Sequence, residues 1–152
     1  MRTSLNPSEP YYTFPAIRGI QAGKEYYTAM CPLRLLPKLF LFDEEELPPE
    51  LRSQRVLNKG RVPTITKYII DNFNDYIFSS ITASIDGDVE FLPFTEDKSK
   101  DKIGHLKIPM SSRIIINDGQ HRRAAIESAL KERPDIGSDT ISVVFFIDAG
   151  LK

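Results

Sequence analysis

The thirteen residues from Ile114 to Ile126 constrain this chain more than any other stretch. Ile114-Ile115-Ile116 reads as a short buried strand, because β-branched side chains suit a pleated, packed surface. Asn117-Asp118-Gly119 interrupts the pattern. Gly119 can adopt backbone angles that other residues avoid, and Asp118 has the side chain to cap a helix by accepting from its first amides. Beyond Gly119 the spacing turns helical: Ala125, Ile126, Ala129 and Leu130 share one face, and the run stops before Pro134. A strand therefore ends, turns sharply and feeds a helix whose first turn carries Gln120, His121, Arg122 and Arg123.

That order gathers positive potential at one point. A helix start offers amide donors and the positive end of a dipole, which suits an anion. Two arginines and a histidine there run against the usual preference for acids in a first turn. Arg122 shares a face with Ala125, Ile126 and Ala129 and so is expected to point toward a cleft, while Arg123 stands four residues before Glu127 and can pair with it. A purely structural arrangement also accounts for these residues: Asp118 caps the helix, Gln120 and His121 bond nearby backbone, and Arg122 pairs with Asp118. His121 can act as acid or base near neutral pH, and Asp118 can orient water or a metal.

Length and composition fit one soluble domain: 152 residues, 41% hydrophobic and 27% charged. No apolar run reaches the ~18 residues of a membrane span, and Met1 to Pro7 lacks the apolar core of a signal peptide. A single cysteine, Cys31, rules out an internal disulfide, suits the cytoplasm and reads as a small buried hydrophobe. The formal net charge is −1, yet the charges are segregated. Asp43 to Glu50 holds five acids and no base; Arg52 to Lys67 holds five bases and no acid. Such a local basic stripe can bind a phosphate backbone, or it can pair with the acidic block. Two histidines and one cysteine without paired spacing argue against a metal centre, and neither a phosphate-binding glycine loop nor a serine elbow is present.

The remaining chain predicts an α+β domain with a mixed β-sheet and flanking helices. Residues 1–11 form a polar arm. Tyr12–Ile20 and Glu25–Met30 read as strands about an Ala22-Gly23-Lys24 turn, and Leu33–Phe40 as short helical turns. Pro49–Leu57 suits a helix, and Pro63 opens another that runs to about Asn74. Ile77–Ile85 is expected to pair with Val89–Phe94 through an Asp86-Gly87 hairpin turn. Ile114–Ile116 is expected to lie centrally in the sheet. Together with the motif helix and a last strand at Ile141–Ile147, it would make a right-handed parallel unit.

The segment Ile116-Asn117-Asp118-Gly119-Gln120-His121-Arg122-Arg123-Ala124-Ala125-Ile126 resembles the signature of DGQHR-domain proteins, and most closely the DndB-type proteins of bacterial DNA phosphorothioation systems. Arg55 to Pro63, followed by Ile65 to Ile70, resembles a second block of that family. The motif is similar in placement to the G-E-R-R-x-x-A box of ParB-type domains, where a strand, turn and helix bind nucleotide phosphates. The resemblance spans about Phe14 to Asp148 and is most specific at Asp118 to Ala124. It implies a single domain over residues 1–152 built on a ParB/DGQHR-like strand-turn-helix core. Family members are commonly longer, so a C-terminal portion is expected to be missing.

Two functions are implied by the resemblance. The first is a DNA-binding repressor of the modification genes, with Arg55, Lys59, Arg61, Arg113 and Arg123 on DNA phosphates. The second is a ParB-like nucleotide hydrolase or DNA-nicking enzyme. In that case Asp118, Gln120, His121 and Arg122 are the catalytic candidates, and Gly119, Arg122 and Arg123 hold phosphate. No cofactor is required by the sequence itself; the one this resemblance admits is a nucleotide with Mg²⁺. Expected partners are DNA, a nucleoside triphosphate and other proteins of the modification system, with no membrane.

Overall fold

The computed structural model describes residues 10–40 and 60–148. Strands β1 (Tyr11–Gln21) and β2 (Lys24–Pro32) lead into a 3-10 turn at Leu33–Leu35 and a short helix α1 (Leu36–Leu39). Helix α2 (Val62–Asp71) precedes β3 (Ile81–Asp86), β4 (Glu90–Pro93), β5 (Ile103–Pro109) and β6 (Arg113–Asp118). Helix α3 (Gln120–Glu132), a 3-10 turn at Pro134–Ser138 and β7 (Thr140–Ile147) complete the order. The seven strands form one sheet in the order β4-β5-β1-β2-β7-β3-β6. Only β3 and β7 are parallel, so the sheet is mixed and the fold is α+β, as the sequence predicts.

Alternation along the strands decides which face is covered. Phe14, Ala16, Tyr27, Ala29, Cys31, Leu106, Ile108, Ile141, Val143 and Phe145 point to one face and are buried there. Ile81, Ala83, Ile85, Ile114 and Ile116 continue that face on β3 and β6. Leu33, Leu36, Leu39 and Phe40, Ile69 of α2, and Ala125, Ile126 and Ala129 of α3 close over it as a single core. Among the described residues no helix covers the opposite face. There Ile17, Met30 and Ile103 stay 53–56% exposed, and Tyr26 stacks on Phe146 at 5.3 Å.

Three sequence expectations change. First, β4 does not return along β3 but pairs with β5, and β3 lies between β7 and β6. A tight Asp86-Gly87 hairpin would need left-handed backbone, yet the only described glycines with positive φ are Gly23 and Gly119. Second, β6 is an edge strand rather than a central one. Its isoleucines are still buried, Ile114 and Ile116 in the core under the helices and Ile115 on the opposite face. Third, β6, α3 and β7 are not a parallel unit. β6 is antiparallel to β3 and β3 is parallel to β7, so the two strands flanking α3 in sequence run in opposite directions with β3 between them.

Smaller differences concern element ends. The strand expected from Ile77 starts at Ile81, with Ile77 itself 82% exposed, and α2 ends at Asp71 rather than near Asn74. The expected helix at Pro49–Leu57 and the acidic run lie outside the described residues.

Ile126 is fully buried where α3 meets the sheet. Ile126→Ala is expected to lower stability by about 2–5 kcal/mol, read as a shift in urea midpoint without a change in slope. A shift corresponding to less than about 1 kcal/mol would mean that α3 is not anchored through this residue.

Candidate anion-binding site at the strand–helix junction

The turn that joins β6 to α3 is shaped by two backbone devices. The register of β6 against β3 slips just before the motif: Ala83 faces Ile116 while Thr82 faces Asp118, leaving Asn117 as an extra residue. Such a bulge bends a strand and re-aims the residues beyond it. Ser84 Oγ donates to Asn117 Oδ1 at 2.8 Å and holds it. Gly119 then takes φ 110° and ψ 16° as the residue preceding α3, and the Arg123 amide closes the first helical turn on the Gly119 carbonyl at 2.9 Å. A side chain is excluded at Gly119, because a Cβ would lie 2.9 Å from Ile81 Cγ1 and 3.0 Å from an Arg122 guanidinium nitrogen.

Asp118 does not cap the helix, contrary to the sequence expectation. No side chain caps α3, and Gly119 stands at the capping position instead. The bulge and the left-handed turn carry Asp118 outward, where its side chain is 78% exposed and its Oδ2 is 3.8 Å from Arg122. That separation allows charge attraction but is too long for a hydrogen bond.

Arg122 is the fixed point of the site. Its Nη2 donates to the Ser80 carbonyl at 2.8 Å, across the sequence gap to the residue before β3. Its Nε is buried and has no partner. Ser80 Oγ is itself hydrogen-bonded to Ser142 Oγ of β7, so the carbonyl that orients Arg122 is tied to the sheet. Arg123 turns aside and pairs with Glu127 at 3.0 Å, as the four-residue spacing predicts. Gln120 opens α3 in a half-buried position.

His121 is less basic than an ordinary imidazole. Partial burial lowers its pKa first, and the charges of Arg61 and Arg122 add to the effect. Arg61, the residue before α2, is thus one of the two charges that lower it. Arg113 stands at the opposite end of β6, roughly 16 Å from Asp118 at the usual strand rise. Arg55 and Lys59 lie outside the described residues. Among the sequence candidates, Asp118, Gly119, Gln120, His121 and Arg122 share the strand–helix turn, whereas Arg113 stands apart.

Ser80 carries no sequence signal that could reveal its role, because it contributes a backbone carbonyl. The Asn117–Ser84 bond is equally invisible in the sequence. A polar hollow of about 520 Å³, lined by Phe73, Asn74, Tyr76, Ser138, Asp139 and Thr140, opens near the same end of the sheet, where β7 begins beside Ser80. Tyr76 donates to Asp139 there at 2.6 Å.

The chemistry on offer is cation and amide donors around one exposed carboxylate. Among the described residues no three histidine, cysteine or acidic side chains are grouped to hold a metal ion. Cys31 is buried and its thiol is pushed up to about 12 by burial, which makes it a packing residue rather than a nucleophile. No described helix is long and apolar enough to cross a membrane.

A family model described as DndB, DNA-sulfur modification-associated, matches residues 14–152. No curated protein and no solved structure matches the chain.

Gly119→Ala and Gly23→Ala separate backbone strain from local crowding. Both positions have positive φ, but nothing lies within 4 Å of a Cβ at Gly23. Each alanine is expected to cost about 1–2 kcal/mol for the left-handed backbone. Gly119→Ala should cost about 1–3 kcal/mol more through its clash with Ile81 and Arg122. Equal shifts in chemical denaturation would contradict the crowded geometry at the motif.

Proposed function

The chain belongs to the DndB family of DNA-sulfur modification-associated proteins, and on that premise we propose that it is a DNA-binding regulator, a repressor of the modification genes, whose DGQHR motif grips a backbone phosphate. Family membership ties it to a DNA-modification system. The observation that carries the phosphate reading is Arg122, pinned to Ser80 in the first turn of α3, where His121 and Arg123 are its chain neighbours. This places a cationic spot on a chain whose formal net charge is only −1. An arginine fork held in place before the ligand arrives loses little entropy on binding and matches phosphate oxygens in pairs.

In this reading Arg122 and Arg61 neutralise phosphate charge and the amides at the start of α3 add donors, while Gly119, lacking a side chain, lets the Arg122 guanidinium lie against the turn. Asp118, on the solvent side of Arg122, keeps the guanidinium from being overwhelmingly attractive to any anion. The contacts are to backbone, so they set affinity and register rather than base preference. A second reading, a ParB-like nucleotide hydrolase or nicking enzyme, draws on the polar hollow lined by Asn74, Asp139 and Thr140. In that reading the hollow takes the nucleoside and Mg²⁺ arrives on the nucleotide.

Fluorescence anisotropy with a DNA duplex at several salt concentrations tests the regulator. Binding should weaken as salt rises, and Arg122→Ala and Arg61→Ala should each reduce affinity about tenfold and flatten the log–log salt slope by about one. Arg113→Ala should leave the motif contact intact. Flat binding curves for DNA together with saturable, Arg122-dependent binding of a nucleoside triphosphate would overturn the regulator in favour of the second reading.

A further inference from the structure

The side of the sheet away from the helices is apolar over most of its width. Residues alternating with the core along β5, β1, β2 and β7 share that side, among them Ile103, Ile17, Met30, Tyr26 and Phe146. Ile17 and Ile103 stand directly opposite each other on β1 and β5, and Tyr26 stacks on Phe146 between β2 and β7. Phe94, just past β4, joins them by meeting the ring of His105 edge-on at 4.9 Å. Ile17, Met30, Phe94 and Ile103 are each more than half exposed. On β3 and β6 the same side is closed, since Ser84 and Ile115 are buried there.

Charge is confined to the rim of this face. None of the side chains that face this way on β1 from Thr13 to Ile17, on β2 from Tyr26 to Met30, or on β7 from Ser142 to Phe146 is charged. At the β4–β5 corner Lys107 stands opposite Glu90, donates to the Tyr11 hydroxyl at 3.1 Å and lies 4.7 Å over the Tyr11 ring. At the far corner Asp86 stands opposite Arg113. An uncharged centre inside a polar rim is the anatomy of a protein interface, and a monomer rarely leaves so broad an apolar patch in water. With no cation at its centre the face does not suit a phosphate backbone. Five open strands about 4.8 Å apart and roughly six residues deep give about 500 Å² in plan, and side chains standing off the sheet raise the accessible area further. That brings it to the ~600 Å² per partner at which specific interfaces begin.

We propose that this face packs against the same face of a second copy of the chain, two sheets forming a sandwich about a two-fold axis. A different protein is ordinarily selected by complementary charge, and the centre of this face offers none to select with. A copy of the face meets no like charge at the centre, and the rim charges at two corners are answered within their own sheet. A copy also brings a sheet of identical twist, which aligned packing at about 10 Å requires. Helices α2 and α3 lie on the other side of the sheet, so pairing leaves the first turn of α3 uncovered. The inference is therefore independent of what the motif binds.

Sedimentation velocity of the 152-residue chain from about 1 to about 200 μM tests the pairing. The mass should rise with concentration from 17.3 kDa toward twice that value. Ile17→Lys and Ile103→Glu each place a charge at the centre of the face and should weaken the dimer by at least about tenfold. Ile20→Lys is the control: Ile20 is as exposed as Ile17, but it stands three residues along β1 and so on the other side of the sheet. It should dimerise like the parent. Unchanged far-ultraviolet circular dichroism shows that a variant is folded, and either face variant decides the matter if the other fails to fold. A 17.3 kDa species at every concentration overturns the proposal. If that monomer binds an apolar dye and both face variants lose the binding, a different protein is the occupant. A dimer that both face variants retain places the interface elsewhere and overturns the proposal as well.

Discussion

The turn at Gly119 is the constraint on which the rest of the site depends. A β-bulge at Asn117 and a left-handed residue at Gly119 together change the chain from an edge strand into a helix within three residues. Because Gly119 is buried against Ile81, the space where a side chain would sit is occupied by the strand on one side and the Arg122 guanidinium on the other. The arginine can reach the Ser80 carbonyl only because nothing projects from Gly119. One backbone conformation thus fixes the helix start, the approach of α3 to β3 and the aim of the arginine. No side-chain cap assists it, so the turn relies on packing rather than on the Asp118 carboxylate.

The charge layout around that turn is selective. Along the two helices, neighbouring charges close on each other within one turn, as in Lys67–Asp71 and Arg123–Glu127. At the start of α3, Asp118 is largely in water and stands 3.8 Å from Arg122. A helix start ordinarily favours acids, and the first turn of α3 carries His121, Arg122 and Arg123 instead. That layout is what the proposed phosphate contact draws on. The sheet contributes rigidity, since Ser80 is bound through its hydroxyl to β7 and its carbonyl is thereby fixed before any ligand arrives.

Several features are legible in the sequence because they depend on neighbours along the chain. The alternation of β1 and β2, the turn between them, Pro63 at the head of α2 and the helical face of Ala125, Ile126 and Ala129 all come from spacing. The Arg123–Glu127 pair is legible for the same reason. Asp118 departs from expectation because capping propensity describes an Asp next to an ordinary helix start, and here the bulge and a left-handed glycine turn the carboxylate away. The Asp86-Gly87 hairpin fails similarly. Turn-forming residues permit a hairpin, but the strand that gains most from pairing with β3 is β6, whose isoleucines complete the core.

The sequence by itself determined the strand-turn-helix motif, the α+β class and the concentration of positive charge in the first turn of α3, because periodicity and side-chain chemistry are local properties. Tertiary structure alone decided that β6 lies at the sheet edge and that β3 separates it from β7. Those pairings depend on burial and backbone hydrogen bonding between segments far apart in the chain, which no window of residues encodes. They bring the Ser80 carbonyl to Arg122 and so fix the aim of the motif's arginine.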